Sequence, residues 1–297
     1  MDIIGVIKEY LQALQIEQRL SPSTIISYRS DLGLFAKFAM RQGILELQNI
    51  DSHSIRKFLL ELQQLYSLKA TTLRRRIHAL RSFYNYCIDE DYVIKNPMRK
   101  IKCPKKEQPL PIFLTDEEAK RFLDTPTKDK QEWLRKRDKA ILDVLFFTGI
   151  RRNELLGLAM DDINLNEWSL RVIKGKGGKD RLLPLNSKLI KSIREYLAVR
   201  PKSRSNKFFV SYNYNAQLTK AGLYKLFRTH LRNAKITRKG ISPHKIRHTF
   251  ATMVLRGSRD IVAVQELLGH TDISTTRIYL HTTTEQLRGA MEKHPFG

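Results

Sequence analysis

From Tyr196 to Arg259 the chain contains no Asp or Glu at all. A surface meant only to stay soluble mixes both signs, so a stretch this long without negative charge points to a polyanion partner. Cysteine is nearly absent too. Cys87 and Cys103 make no metal-ligand spacing and no disulfide framework, which fits a reducing cytoplasm and structural thiols. No apolar run approaches the ~20 residues needed to span a bilayer. The opening MDIIGVIKEYLQAL has no basic segment ahead of an apolar core, so no secretory signal is expected. A Walker phosphate loop is missing, and no cluster of carboxylates, histidines or cysteines suggests a metal. Neither ATP nor any other cofactor is implied, and no basic helix with a strong apolar face suggests a membrane surface.

What is present is positive charge. The 297 residues carry 54 Lys and Arg against 30 Asp and Glu, a net charge of +24. It is uneven: residues 1–100 hold 15 basic against 10 acidic side chains, whereas residues 101–297 hold 39 against 20. The N-terminal part therefore contributes +5 and the remainder +19. Nucleic acid is the partner that this distribution favours.

The first hundred residues read as four helices. Ile4, Ile7, Leu11 and Leu14 recur at helical steps over residues 2–17. Ser21-Pro22 starts a second helix, Asp51-Ser52 a third, and a fourth runs from about Ala70 to Glu90. Such helices bury one small core. Ser23, Thr24 and Arg29 on the second helix, and Arg74, Arg75 and Arg76 on the fourth, form a candidate phosphate-contacting face; a merely solvated basic face is the alternative. Residues 101–114, with their prolines and lysines, read as a basic linker, and the capping box Thr115-Asp116-Glu117-Glu118 opens a second domain over 115–297.

In that domain a strong helix over about 133–147 breaks at Thr148-Gly149. Arg151 then starts a short helix, with Glu154 three residues on and within reach of its guanidinium. Residues 168–185 read as a β-hairpin whose turn holds Lys174, Lys176 and Lys179 among three glycines. A lysine on such a tip can protonate a leaving alkoxide, and a solvated turn is the competing reading. Helices follow at about 187–199 and 220–235, the second bearing Lys225 and Arg228. Ser242-Pro243 starts a helix that puts His244 and Arg247 on one face near its positive end, an arrangement suited to a phosphate. His270 follows Gly269, which has the character of a helix-ending residue, and Tyr279 supplies a phenol. The segment from Thr283 to Gly297 places Leu287, Ala290 and Met291 on one face, suited to docking on a neighbouring subunit or on its own domain.

Five segments carry a family resemblance: Thr-Gly-Ile-Arg-Arg-Asn-Glu-Leu (148–155), Lys-Gly-Lys-Gly-Gly-Lys-Asp-Arg (174–181), His-Lys-Ile-Arg-His-Thr-Phe-Ala-Thr (244–252), Leu-Leu-Gly-His (267–270) and Thr-Thr-Arg-Ile-Tyr (275–279). With these in this order the chain resembles the tyrosine recombinase (phage integrase) family, and within it the two-domain Xer type. The resemblance implies a mainly α fold with a small β-hairpin or sheet. It pairs a four-helix SAM-like core-binding domain over residues 1–100 with an α+β catalytic domain.

The resemblance also implies roles. Arg151 and Arg247 clamp the scissile phosphate and His270 hydrogen-bonds it. Lys176 protonates the leaving 5′-oxygen, His244 assists proton transfer from the nucleophile, and Tyr279 attacks phosphorus to form a 3′-phosphotyrosyl link. Beyond those six, the basic side chains Lys174, Lys179, Lys225 and Arg228 are candidate DNA contacts. The implied partners are double-stranded DNA with a specific recombination site, further subunits in a homo-tetramer or a hetero-tetramer with a paralogue, and an FtsK-type DNA translocase; no metal is implied. Chromosome dimer resolution is the expected role. A mobile-element integrase or excisionase of the same chemistry is the alternative, and a catalytically silent DNA-binding accessory protein is the alternative of another class.

Overall fold

The computed structural model describes residues 2–17, 20–105, 112–126, 131–173, 180–213 and 216–269. The chain forms two compact units, Met1–Pro109 and Leu110–Gly297.

The N-terminal unit is built from α1 (Ile3–Ile16), α2 (Pro22–Arg41), α3 (Ser52–Tyr66) and α4 (Ala70–Asp89). Three of the four have a side-chain cap. Asp2 accepts from the N–H groups of Ile4 and Gly5, Ser21 from Thr24, and Asp51 from Ser54, each serving an amide that the first helical turn leaves without a partner. The inward faces repeat at three- and four-residue steps: Ile3, Ile7, Tyr10 and Leu14 on α1, and Ile77, Leu80, Tyr84 and Cys87 on α4. Phe35, Phe58, Phe83 and Tyr84 meet edge-on at the centre.

Two expectations about this unit change. The segment read as a basic linker starts inside the fold: Ile101, like Met98 just ahead of it, is buried in the core. Ser52 donates to the Pro97 carbonyl, Arg81 to that of Ile101 and Arg74 to that of Pro104. Apolar residues three apart, Met98 and Ile101, anchor a chain whose lysines face outward. The arginines of α4 are likewise not all on an outer face. Arg75 and Arg76 both pair with Asp31, which is buried, and Arg76 also lies 5.9 Å over the Tyr66 ring with its side chain 12% exposed. Burial pushes the Asp31 pKa up, and the two guanidiniums oppose that shift. A buried carboxylate needs partners, and the run Arg74-Arg75-Arg76 supplies two of them.

The C-terminal unit is organised on α6 (Glu132–Thr148), which is apolar on most sides: Ala140, Ile141, Leu142, Val144 and Leu145 are all buried. Around it lie α5 (Asp116–Leu123), α7 (Arg152–Gly157), α8 (Ser187–Val199), α9 (Lys220–Asn233), α10 (Pro243–Ser258) and α11 (Ile261–Leu268). Thr115 and Glu118 close the capping box at α5 with bonds of 3.2 and 2.9 Å. The sheet has three antiparallel strands in the order β1 (Ile163–Asn164), β2 (Ser169–Val172), β3 (Arg181–Pro184). Leu170 pairs with Leu183 and both are buried, whereas Leu182 points outward at 65% exposure. Strand β1 is only two residues long, too short to leave a periodic signal.

Under α9 lies a buried polar network that periodicity cannot reveal. His230 Nε2 is 3.2 Å from Asp138 Oδ2, and its Nδ1 is 2.9 Å from Thr125 Oγ1. Arg137 pairs with Asp138 at 2.8 Å, donates to the Val210 carbonyl and lies over the Trp133 ring. Every polar member is buried, so the network fixes α9 against α6 by mutual satisfaction.

Candidate active site

The break after α6 sets the site. Thr148 Oγ1 donates back to the Val144 carbonyl and accepts from the Ile150 N–H, closing the helix end. Gly149 then takes a left-handed φ of 59°, and a Cβ there would lie 2.4 Å from Phe250 Cδ1 on α10. Both the conformation and the close approach require glycine. The turn delivers Arg151 to the N-cap position of α7 and turns the Gly149 carbonyl toward Arg247, whose Nη1 donates to it at 2.8 Å.

Arg151 and Arg247 meet at the far end of α11. Arg247 Nη2 donates to the Leu268 carbonyl and Arg151 Nη2 to the Gly269 carbonyl at 3.2 Å. These are consecutive carbonyls at a helix C-terminus, where carbonyls lack helical partners and carry partial negative charge. Gly269 has a left-handed φ of 62° and ends the helix. These carbonyls are neutral, so they anchor the two guanidiniums without adding a counter-charge.

One carboxylate organises the other side. Glu154 accepts from the Arg151 N–H at 2.8 Å and from Arg151 Nη1 at 2.8 Å. It also accepts both Nη groups of Arg181, at 3.0 and 2.7 Å. Burial opposes its ionisation, yet the bonds from Arg181 and then Arg151 outweigh burial and hold its pKa down at about 2. Three guanidiniums against one carboxylate leave these four side chains at +2, which suits an incoming phosphodiester.

His244 stands in the first turn of α10 with its ring 4.9 Å from that of His248, edge to face. The residue is open to solvent on one side, but the protein around it disfavours its charged form, and Arg247, Lys245 and Arg151 add repulsion, so its pKa is lowered. A neutral imidazole beside two guanidiniums can accept a proton. Ser242 takes the N-cap position of α10, but its side chain makes no capping bond.

The structure thus brings together Arg151, Arg247 and His244. Lys174, Lys176, Lys179, His270, Tyr279 and the 283–297 segment lie outside the described residues. Lys225 and Arg228 are exposed on α9. In the N-terminal unit Ser23, Arg29 and Arg75 are exposed, Thr24 is partly covered, and Arg74 and Arg76 are held in internal bonds. Sequence reasoning assigned no role to Arg181; its only signal was its place at the end of the lysine-glycine segment. A cavity of about 690 Å3 opens elsewhere, walled by Asp143, Phe146, Phe147, Lys191, Met253 and Arg256, and includes neither Arg151 nor Arg247. The cavity holds no residue of the segments 148–155 and 244–252, so the arginine cluster, not this cavity, defines the candidate site. Among the described residues no group of His, Cys, Asp and Glu could hold a metal ion, and no helix is long and apolar enough to cross a membrane.

The chain is thus a mainly helical two-unit protein in which arginines from separate segments gather on one helix end. Residues 112–286 match the phage integrase family and residues 7–91 the phage integrase N-terminal SAM-like domain, and the chain belongs to the phage integrase (tyrosine recombinase) family. It is 39% identical over 292 residues to tyrosine recombinase XerC of Staphylococcus saprophyticus, spanning 96% of each chain. It is 36% identical to tyrosine recombinase XerC of Pelobacter propionicus, spanning 97% of this chain and 95% of that protein. Against tyrosine recombinase XerD of Staphylococcus haemolyticus the identity is 36%, over 95% of this chain and 96% of the relative. Among solved structures, the XerH site-specific recombinase bound to palindromic difH in a post-cleavage complex aligns with a TM-score of 0.75 at 27% identity, over 91% of this chain and 79% of that one.

Proposed function

We propose that the protein is a site-specific DNA recombinase of the Xer kind, which cuts and rejoins duplex DNA through a 3′-phosphotyrosyl intermediate. The observation that carries the reading is the convergence of Arg151 and Arg247 on the consecutive carbonyls of Leu268 and Gly269. His270 follows Gly269 directly in the sequence, and the family's solved members include complexes with DNA. Near-full-length likeness to XerC and XerD proteins supports the site-specific role.

In this mechanism Arg151 and Arg247 bind the non-bridging oxygens of the scissile phosphate, with His270 as a further donor. The Tyr279 phenol attacks phosphorus as its proton passes toward His244. The bond from phosphorus to the 5′-oxygen breaks, and Lys176 protonates that oxygen. A phenol with pKa ~10 is a poor nucleophile at neutral pH, and the cation cluster together with a neutral imidazole lowers that barrier. One phosphoester replaces another, so a 5′-hydroxyl from a second duplex can reverse the step without ATP. The enzyme acts in the cytoplasm as a tetramer of identical subunits, or of two paralogues, on paired sites. Its role is chromosome dimer resolution under an FtsK-type translocase. Ser23, Thr24, Arg29, Arg75, Lys225 and Arg228, together with Lys174 and Lys179, contact the phosphate backbone.

The test uses a site selected from a random duplex library and placed twice on a supercoiled plasmid. Recombination that depends on both sites and persists in EDTA supports the reading. Relaxation of a plasmid lacking the site marks a topoisomerase instead. Tight binding with no strand cleavage marks a silent accessory protein.

A further inference from the structure

Arg181 is the cation of the cluster to which the mechanism above gives no role. It begins β3, opposite Val172, so its backbone is fixed by the sheet. Its side chain is 11% exposed and spans Glu154, one Nη on each carboxylate oxygen. Its Nε is buried with no hydrogen-bond partner among the described residues. Its Cδ packs so closely on Gly269 that a Cβ there would lie 2.9 Å away. The residue therefore touches both supports of Arg151, the Glu154 carboxylate and the Gly269 peptide. Neither contact is needed to close the hydrophobic core, and placing a guanidinium in so dry a position is costly.

We infer that Arg181 is a positioning residue for phosphoryl transfer: it locks Glu154, and through Glu154 and Gly269 it fixes the guanidinium of Arg151 in its phosphate-binding pose. The inference rests on the recombinase reading above. A bidentate guanidinium sets the plane of the carboxylate it grips, and that plane sets where Arg151 Nη1 can bond. With Arg181 gone, Glu154 would rotate to pair with Arg151 alone, drawing the clamp away from the phosphate and offsetting its charge.

The experiment measures covalent adduct formation on two nicked duplexes that differ only at the scissile phosphate, one a phosphodiester and one a neutral methylphosphonate. Arg181→Met should slow the phosphodiester reaction by about 30- to 100-fold while duplex binding stays within about threefold of the unsubstituted protein. On the methylphosphonate, where there is less charge to offset, the same substitution should cost less than about fivefold, in parallel with Arg151→Ala. The Arg151→Ala/Arg181→Met double variant should be no slower than Arg151→Ala alone. Arg181→Lys keeps a charge but not the fork, and should recover only part of the rate. Should Arg181→Met fail to fold, Arg181→Lys and Glu154→Gln carry the same two-substrate comparison. Equal losses on both substrates, additivity with Arg151→Ala, or a rate within twofold of the unsubstituted protein would each overturn the inference. Absence of any adduct with the unsubstituted protein on the phosphodiester would instead overturn the recombinase reading.

Discussion

Arg151 and Arg247, 96 positions apart in the chain, donate to neighbouring carbonyls, those of Gly269 and Leu268. One arginine comes from the start of a short helix, the other from the first turns of α10, and the end of α11 is their common anchor. In the proposed mechanism these two guanidiniums bind the non-bridging oxygens of one phosphate. Replacing Arg247 with Lys keeps the charge but loses the two-carbonyl bridge between Gly149 and Leu268. The strand-cleavage rate should fall about 100-fold or more, with site binding largely retained. Rates measured on a nicked duplex beside gel-shift affinities check this; equal losses in both would show that Arg247 serves binding alone.

Gly149 is predicted to be intolerant of any side chain. Alanine there must hold a left-handed φ and displace the Phe250 ring. The two costs together amount to about 2–4 kcal/mol. Urea unfolding of the Gly149→Ala protein measures the loss, and a change under 0.5 kcal/mol would mean that the turn can relax.

The pH profile follows from His244. Its pKa is lowered by burial of the charged form and by repulsion from Arg247, Lys245 and Arg151. A histidine whose folded pKa lies below its unfolded value binds its proton less readily when folded. This group therefore favours unfolding as pH falls below its ordinary range, and its effect vanishes above that range. In the proposed mechanism the neutral ring is the proton acceptor, so the rate should rise with pH through its lowered pKa and level off below neutrality. Removing the group with His244→Gln should lower the plateau and erase that acid limb. An unchanged limb in the variant would assign the titration to another group.

The buried network is expected to serve stability rather than chemistry. Asp138→Ala leaves Arg137 and His230 without their shared acceptor in a dry interior. It should cost about 3–5 kcal/mol. Cleavage per folded molecule should stay near that of the unsubstituted protein, as thermal unfolding and active-site titration can show. A variant that is fully stable would contradict the structural role.

How far these features could be read from the sequence depended on their range. Helices α1 to α4 were legible because Ser21-Pro22, Asp51-Ser52 and the apolar steps are local signals. Arg151, His244 and Arg247 were legible because each stands at a helix start beside a recognisable break. The second job of Arg76 was not legible: an arginine that pairs with Asp31 across two helices has the same local pattern as one facing solvent. Met98 and Ile101 were lost in a run of lysines and prolines, although their three-residue spacing marks a buried turn. His230 carries no local signal, since only tertiary packing brings Asp138 and Thr125 to it. Arg181 was invisible as a structural residue because its partner, Glu154, is 27 positions away and had already been assigned to Arg151.

The central claim concerns Tyr279 and one phosphorus atom. The direct measurement is incubation of the protein with a nicked duplex carrying its selected site, in EDTA, followed by proteolysis and mass spectrometry of the DNA-linked peptide. A 3′-phosphotyrosyl link on the peptide containing Tyr279, missing from a Tyr279→Phe protein that still binds the site, is the result expected. An adduct that survives Tyr279→Phe, or cleavage that leaves no protein on the 3′ end, would contradict it.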